Sequence, residues 1–278
     1  MPELPEVETI VRTLSPHVLG RTITGAHLYL PRSLHPLSLP VDSLRGCRIS
    51  GAGRRGKLVM LELEPPRRDA ASPERLLAHL RMTGRLLVKD ASVNAHTRCV
   101  FDLRAPSGEE SRLFFDDIRT FGQLFVANSR NLARWRFWTE LGPEPLEMKA
   151  DDLALAMNSR AAVKACLLDQ KRIAGIGNIY ADEALFLAGI NPVRPGSSLS
   201  RGEVKALMKS LRDVLMLAIR KCGSSIRDYR DADGNAGAFQ KNFMAYGRGG
   251  QPCRKCGSTM QKCRVAGRGT VFCPTCQS

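Results

Sequence analysis

The stretch CRKCGSTMQKCRVAGRGTVFCPTC, residues 253–276, decides how the C-terminal end of this chain folds. It holds two Cys-x-x-Cys pairs, Cys253/Cys256 and Cys273/Cys276, with 16 residues between them. Each pair closes a tight turn that aims two sulfurs at one point. The stretch between them has the length of a hairpin that brings the pairs together. One Zn2+ held by Cys253, Cys256, Cys273 and Cys276 is the expected result, and four protein ligands leave no open position for water, so the metal is structural. Cys263 lies inside the hairpin and reads as a spare thiol. Arg264 and Arg268 sit on the same hairpin, placed to meet phosphates.

Charge extends that reading. From Gly234 onward there is no Asp or Glu, whereas Lys241, Arg248, Arg254, Lys255, Lys262, Arg264 and Arg268 are basic. The formal net charge of the whole chain is +15. Such a balance draws a protein to polyanions, and one-signed charge at one end marks a phosphate-facing module. The other cysteines, Cys47, Cys99, Cys166 and Cys222, lie among apolar neighbours and read as buried reduced thiols rather than a disulfide framework. No run of about 18 apolar residues exists, which excludes a membrane-spanning helix. The opening MPELPEVETI is acidic and lacks the pattern of a secretory signal, so a cytoplasmic protein is expected.

The 278 residues suffice for two domains with their own cores. Residues 6–19 carry Val7, Ile10, Val11 and Leu14 at helical spacing, limited by Pro16. The segments TITGAHLYL, KLVMLEL, LLAHLR, GRLLVKD, RCVFDLR, SRLFFDD and FGQLFVA between about 22 and 127 are short, apolar and broken by turn residues. They predict an antiparallel β-sandwich or flattened barrel flanked by the first helix, with PPRRDAASPE at 65–74 as a polar loop. The cluster Gly142-Pro143-Glu144-Pro145 marks a linker over 142–150, ending a first domain at 141. Beyond it the chain reads as helical, at 151–157, 161–169 and 179–188. A long helix opens at Ser200 with Glu203 as its capping-box partner and stops at Cys222-Gly223. Residues 224–245 read as a mobile loop. The fold class is thus α+β in two domains, 151–245 being helical and 246–278 the zinc finger.

The N-terminus offers a reagent. Initiator Met before Pro is normally removed, leaving a secondary amine at Pro2. An α-amine titrates near ~7.7–8.0, so part of it is neutral and nucleophilic at physiological pH. Attack on a sugar C1′ gives an iminium ion that acidifies the C2′ proton. Glu3 is adjacent and able to protonate the sugar ring oxygen. The bland alternative is a processing signal followed by carboxylates that favour a helix start.

Five motifs occur in one order: Pro2-Glu3-Leu4-Pro5-Glu6, Lys57 on a Gly-flanked turn, Asp117-x-Arg119-x-Phe121-Gly122, Gly175-Ile176-Gly177-Asn178-Ile179-Tyr180, and the four-cysteine finger. Together, from residue 2 to residue 276, they resemble the formamidopyrimidine-DNA glycosylase family. The resemblance implies a helix–two-turn–helix element in the second domain, with a lesion-capping loop at about 224–243. It also implies a monomer that binds duplex DNA carrying oxidised bases, removes oxidised purines and cleaves the backbone. Pro2 is then the Schiff-base nucleophile and Glu3 the acid. Lys57 acts in β-elimination, Arg268 clamps phosphate and acts in δ-elimination, and Glu6 lines the lesion pocket. Met82 would be the wedge that fills the gap of a flipped base, Phe121 would stack into the opposite strand, and Arg119 would bond the orphaned base. His79, His96, Arg160, Lys164 and Asn178 would hold DNA. Two other readings stay open: an endonuclease VIII-like enzyme for oxidised pyrimidines, which usually opens Pro-Glu-Gly-Pro, and a non-catalytic zinc-finger binder. Core packing is the alternative role of Met82 and Phe121, and an ion pair with Asp116 or Asp117 that of Arg119.

Overall fold

A computed structural model describes residues 1–88, 92–225 and 229–278, and the chain divides into two compact units. The first comprises Met1–Thr139 together with Cys222–Ala238; the second comprises Glu140–Lys221 and Phe239–Ser278.

The first unit opens with α1, Leu4–Val18, whose Val7, Ile10, Val11, Leu14 and Val18 are all buried. Among the described residues eight strands follow: β1 (Thr22–Leu28), β2 (Arg48–Arg55), β3 (Leu58–Glu64), β4 (Arg75–His79), β5 (Gly84–Val88), β6 (Thr97–Arg104), β7 (Glu110–Asp117) and β8 (Gln123–Ala127). They pair antiparallel in the order β5-β7-β6-β1-β2-β3-β4-β8. At the middle of that order β1 meets β2 at a single register position, Thr22↔Arg48. Two four-stranded halves therefore hinge on one seam, and both contribute to one core. Ile23, Phe101, Phe115 and Leu86 come from one half, and Ile49, Leu61, Leu76 and Val126 from the other, with α1 packed among them. This is the expected sandwich, made by a sheet that turns back on itself.

Two parts of the fold were not anticipated from sequence, and the linker needs correction. Strand β2 escaped the sequence reading because its residues are RISGAGRR. Its glycines serve a bulge and close approach: the register slips between Ile49 and Gly51, and a Cβ on Gly51 would press on the Glu62 side chain at 3.3 Å. Two short helices, α2 (Ser129–Arg134) and α3 (Arg136–Thr139), close the stretch of the first unit that ends at Thr139. The Gly142–Pro145 cluster is no free linker: Gly142 N–H donates to Gln170 O at 2.8 Å, Ala174 N–H to Pro143 O at 3.0 Å, and a Cβ on Gly142 would lie 2.5 Å from the Arg172 carbonyl carbon.

The second unit holds α4 (Ala150–Met157), α5 (Val163–Leu168), α6 (Asn178–Ala188) and α7 (Arg201–Arg220) around Leu153, Cys166, Leu167, Leu185, Leu207 and Leu211. Ser200 caps α7, its hydroxyl accepting from Glu203 N–H while Glu203 accepts from Ser200 N–H. Past the C-cap Lys221, Cys222 and Gly223 both take positive φ, at 56° and 74°. Cys222 is exposed there, not buried as expected; Cys47, Cys99 and Cys166 are buried. The chain ends in a hairpin of β9 (Gln261–Val265) and β10 (Arg268–Phe272). Among the described residues no helix is long and apolar enough to cross a membrane.

The expected capping loop divides. Residues up to Ala238 belong to the first unit, where Tyr229 and Ala232 enter the sandwich core, and Phe239 returns to the second. Its residues 226–228, like Lys89 and Asp90 of the fourth predicted strand, lie outside the described residues.

Candidate active site

Pro2 and Glu3 are buried beneath an exposed Met1 at the start of α1. Glu3 is the N-cap residue. Its backbone N–H donates to Glu6 Oε2 at 2.8 Å, and the other oxygen of Glu6 accepts from Ser224 N–H at 2.7 Å and Ser224 Oγ at 3.3 Å. Glu6, only 1% exposed, thus does more than favour a helix end: it ties the segment bearing Pro2 and Glu3 to residues 223–224. Gly223 is required beside it, because a Cβ there would stand 2.9 Å from the Glu6 carboxylate. The Tyr229 hydroxyl donates to the Glu6 carbonyl at 3.4 Å.

Lys57 occupies the second position of the two-residue turn between β2 and β3. Gly56 ahead of it takes φ 56°, the arrangement of a type II′ hairpin turn. That turn holds Lys57 buried near His79, whose strand partner is Leu58. Burial, then the positive charges of Arg81 and Lys57, push His79 down to about 3. The imidazole is therefore neutral at physiological pH, and its Nδ1 accepts from Arg81 N–H at 3.1 Å.

Two turns project from the paired ends of β5 and β7, where Gly84 faces Asp117. One carries Met82, 41% exposed; the other carries Ile118, Arg119 and Phe121, the last 53% exposed. Neither Met82 nor Phe121 packs in the core. The Arg119 guanidinium lies over the Phe121 ring, 4.9 Å from its centroid, rather than pairing with Asp116 or Asp117. Asp117 is spent otherwise: it accepts from Gly122 N–H at 2.7 Å, from Arg119 N–H at 3.2 Å and from the Thr83 hydroxyl. The exposed His96 joins this group through its carbonyl, which accepts from Asp117 N–H at 2.9 Å. Ile118, an exposed apolar side chain beside the wedge residues, and Thr83 were missed at the sequence level. The only signal was their place within the two motifs.

In the second unit the predictions part ways. Arg160 is exposed at the turn between α4 and α5, and Arg268 is exposed past the Ala266-Gly267 hairpin turn. Lys164 is not at the surface. Its side chain is 0% exposed, its Nζ stands 2.6 Å from Asp182 Oδ1, and it donates to Thr270 Oγ1 and Gly269 O. Burial raises Asp182 to about 6 against the pull of that ammonium. Asn178 opens α6, but its amide NH2 donates to Gly269 O at 3.0 Å and its carbonyl oxygen is buried without a partner among the described residues. Both side chains brace the hairpin beside Arg268 instead of facing an anion. Glu183, unflagged in the sequence, accepts from the N–H groups of Met244, Ala245 and Tyr246 at 2.8–2.9 Å and anchors the chain entering the finger.

The sulfurs of Cys253, Cys256, Cys273 and Cys276 all lie within 4.8 Å of one another. A zinc ion with ~2.3 Å Zn–S bonds in a tetrahedron needs S···S spacings of roughly 3.8 Å. Backbone N–H groups of Lys255 and Cys276 point at Sγ of Cys253 and Cys273 at 3.4 Å, as thiolate acceptors require. The donor set fits one structural Zn2+, and Cys263 stands outside it on β9.

Residues 1–124 match the formamidopyrimidine-DNA glycosylase N-terminal domain, 141–230 the H2TH domain of the same enzymes, and 250–278 the zinc finger found in FPG and IleRS. Formamidopyrimidine-DNA glycosylases of Nitratidesulfovibrio vulgaris and Chloroflexus aurantiacus are 40% and 44% identical, each alignment covering all of this chain and 100% and 98% of theirs. Among solved structures, Thermus thermophilus MutM superposes with a TM-score of 0.86 at 40% identity, covering 99% of this chain and 98% of that one. A point mutant of Lactococcus lactis FPG, in complex with Fapy-dG-containing DNA, superposes with a TM-score of 0.86 at 33% identity, covering 100% of both chains. With its sandwich, its helical domain and its four-cysteine hairpin each matched in order, this chain belongs to the formamidopyrimidine-DNA glycosylase family.

Proposed function

We propose that this enzyme excises oxidised purines, 8-oxoguanine and formamidopyrimidines, from duplex DNA and then cleaves the strand by β,δ-elimination through a Schiff base on Pro2. The observation that carries the reading is the buried pairing of Pro2 and Glu3 at a helix start pinned by Glu6. Removal of Met1 exposes the Pro2 amine. That amine attacks C1′ of a flipped nucleotide and the damaged base leaves. Glu3 gives a proton to the sugar ring oxygen, the ring opens, and the iminium ion makes the C2′ proton removable. Lys57 serves β-elimination and Arg268 holds phosphate and serves δ-elimination; membership of the family supports these two roles. Met82 and Phe121 fill the vacated stack, and Arg119 meets the orphaned base. Relatives solved with DNA containing Fapy-dG or a carbocyclic 8-oxo-G support this choice of lesion. The enzyme acts as a monomer in the cytoplasm.

The test is borohydride trapping on duplexes carrying 8-oxoguanine opposite C or A, a formamidopyrimidine, or thymine glycol. A covalent adduct should form fastest with the oxidised purines. Protein retaining Met1 should give none while binding the same duplex normally. An adduct with Pro2 still blocked would shift the nucleophile to a lysine, and fastest trapping on thymine glycol would move the enzyme to the pyrimidine-specific branch.

A further inference from the structure

We propose that Thr83 and Asp117 form a latch that makes the two projecting turns, 81–84 and 117–122, enter DNA as one body. The inference rests on the function proposed above, in which Met82 and Phe121 are inserted.

Three side chains on these turns, Met82, Ile118 and Phe121, are 41%, 49% and 53% exposed. Core packing therefore does not set their direction; the backbone of each turn does, with the Arg119 guanidinium lying over the Phe121 ring. That backbone is strained in both. Arg81 takes φ 52° and Thr120 φ 57°, a left-handed region that costs a non-glycine residue roughly 1 kcal/mol or more and persists only where surroundings fix it. The glycines leave no slack. A Cβ on Gly84 would lie 2.5 Å from Leu80 O, and one on Gly122 would lie 2.7 Å from the Phe115 ring and 3.1 Å from Asp117 Oδ2.

Above the strand pairings at their bases, what joins the two turns is one hydroxyl. Thr83 Oγ1 donates to Asp117 Oδ1 and accepts from Arg119 N–H at 3.0 Å. Its own chain is the Met82 turn; both its partners are in the Arg119–Phe121 turn. Asp117 is 1% exposed, and its carboxylate also holds Arg119 N–H and Gly122 N–H, so it governs both ends of the second turn. Hydrogen bonds to a buried carboxylate are strong and directional. With the hydroxyl in place, displacing Met82 displaces Arg119 and Phe121. Without it, the turns are joined only at their bases, by the strand pairings Gly84–Asp117 on one side and His79–Gln123 on the other, and their tips move separately. Thr83 and Asp117 are thus positioning residues for the wedge.

A mutant cycle tests this. Affinity for a duplex with a tetrahydrofuran abasic site is measured for M82A, F121A and the double variant, in the natural chain and in T83V and T83S chains. In the natural chain the double variant should lose clearly less affinity than the product of the single losses, because either truncation already disables the joint wedge. In the T83V chain the losses should multiply to within about twofold, as they do for independent sites. T83S keeps the hydroxyl and should restore the natural pattern, which a packing role of the Thr methyl would not. Equal coupling in the natural and T83V chains, or loss of coupling in T83S, overturns the latch. A natural enzyme that shows no preference for the tetrahydrofuran duplex over intact DNA overturns instead the functional reading on which the latch stands.

Discussion

At the scale of single residues, the first unit is organised by buried polar groups with two masters. Glu6 divides its oxygens between Glu3 N–H and Ser224 N–H, the second of them 218 residues away in sequence. His79 is another buried polar group of this unit. Its folded value of about 3 lies below the free imidazole value of ~6.5, so between those limits the unfolded chain binds a proton that the folded chain refuses. Stability contributed by this residue is full above pH 6.5 and falls as pH drops toward 3. Between pH 7.5 and 5 the loss is about 2 kcal/mol. Urea unfolding of the natural protein and of His79→Asn at the two pH values should differ by that amount, the variant having the flatter dependence; equal slopes would mean His79 is solvated. Residue types for the site were legible from sequence, but not which way each side chain turns. The family resemblance implies Lys164 as a DNA contact, and the Gly-rich turn before a helix implies Asn178 as one. The structure turns both inward, since Asp182 and the Gly269 carbonyl stand within bonding distance. Nothing in a linear spacing announces a partner 91 residues away.

Elements with strong periodicity were legible and those built by exception were not. α1, α7 and the apolar strands follow from period and capping. Strand β2, with two glycines and three arginines, is held by its neighbours and a bulge, and has no strand signature of its own. The hairpin of β9 and β10 is the opposite case. Ligand spacing alone predicts it, and its left-handed Ala266 and Gly267 give the tight turn that carries Arg268 outward. Because metal and fold are coupled in such a module, Cys273→Ser should loosen the hairpin and release zinc to a chromogenic chelator at concentrations that leave the natural protein loaded. DNA affinity should fall with it, because metal binding drives the folding of such a module. Affinity unchanged in the zinc-poor variant would remove the finger from the binding surface. Lys164 and Asn178 anchor the same hairpin to α5 and α6, so the element is fixed at its metal end and again near its tip.

For the molecule as a whole, a net charge of +15 is the property that governs approach to DNA. If six phosphates are neutralised, raising salt from 50 to 200 mM should weaken duplex binding about a thousandfold. Fluorescence anisotropy across that range checks it. Arg268→Ala should lower the slope of log affinity against log salt by about one unit without changing lesion preference. A slope near zero would mean that the charge is spread over surfaces that never meet the duplex. The order in which the chain builds its two units was not legible, because residues 222–238 carry no mark of belonging to the sandwich until Tyr229 and Ala232 are seen in its core. The polypeptide leaves the first unit at 139, returns to it at 222 and leaves again after 238. On a ribosome, residues 1–139 emerge with Glu6 lacking its Ser224 partners and the sandwich lacking part of its filling, and they wait for more than 80 further residues before either arrives. Severing the gene at codon 140 would therefore yield no self-sufficient half, and a split reporter or domain swap in this protein would have to carry the returning strap along with the sandwich.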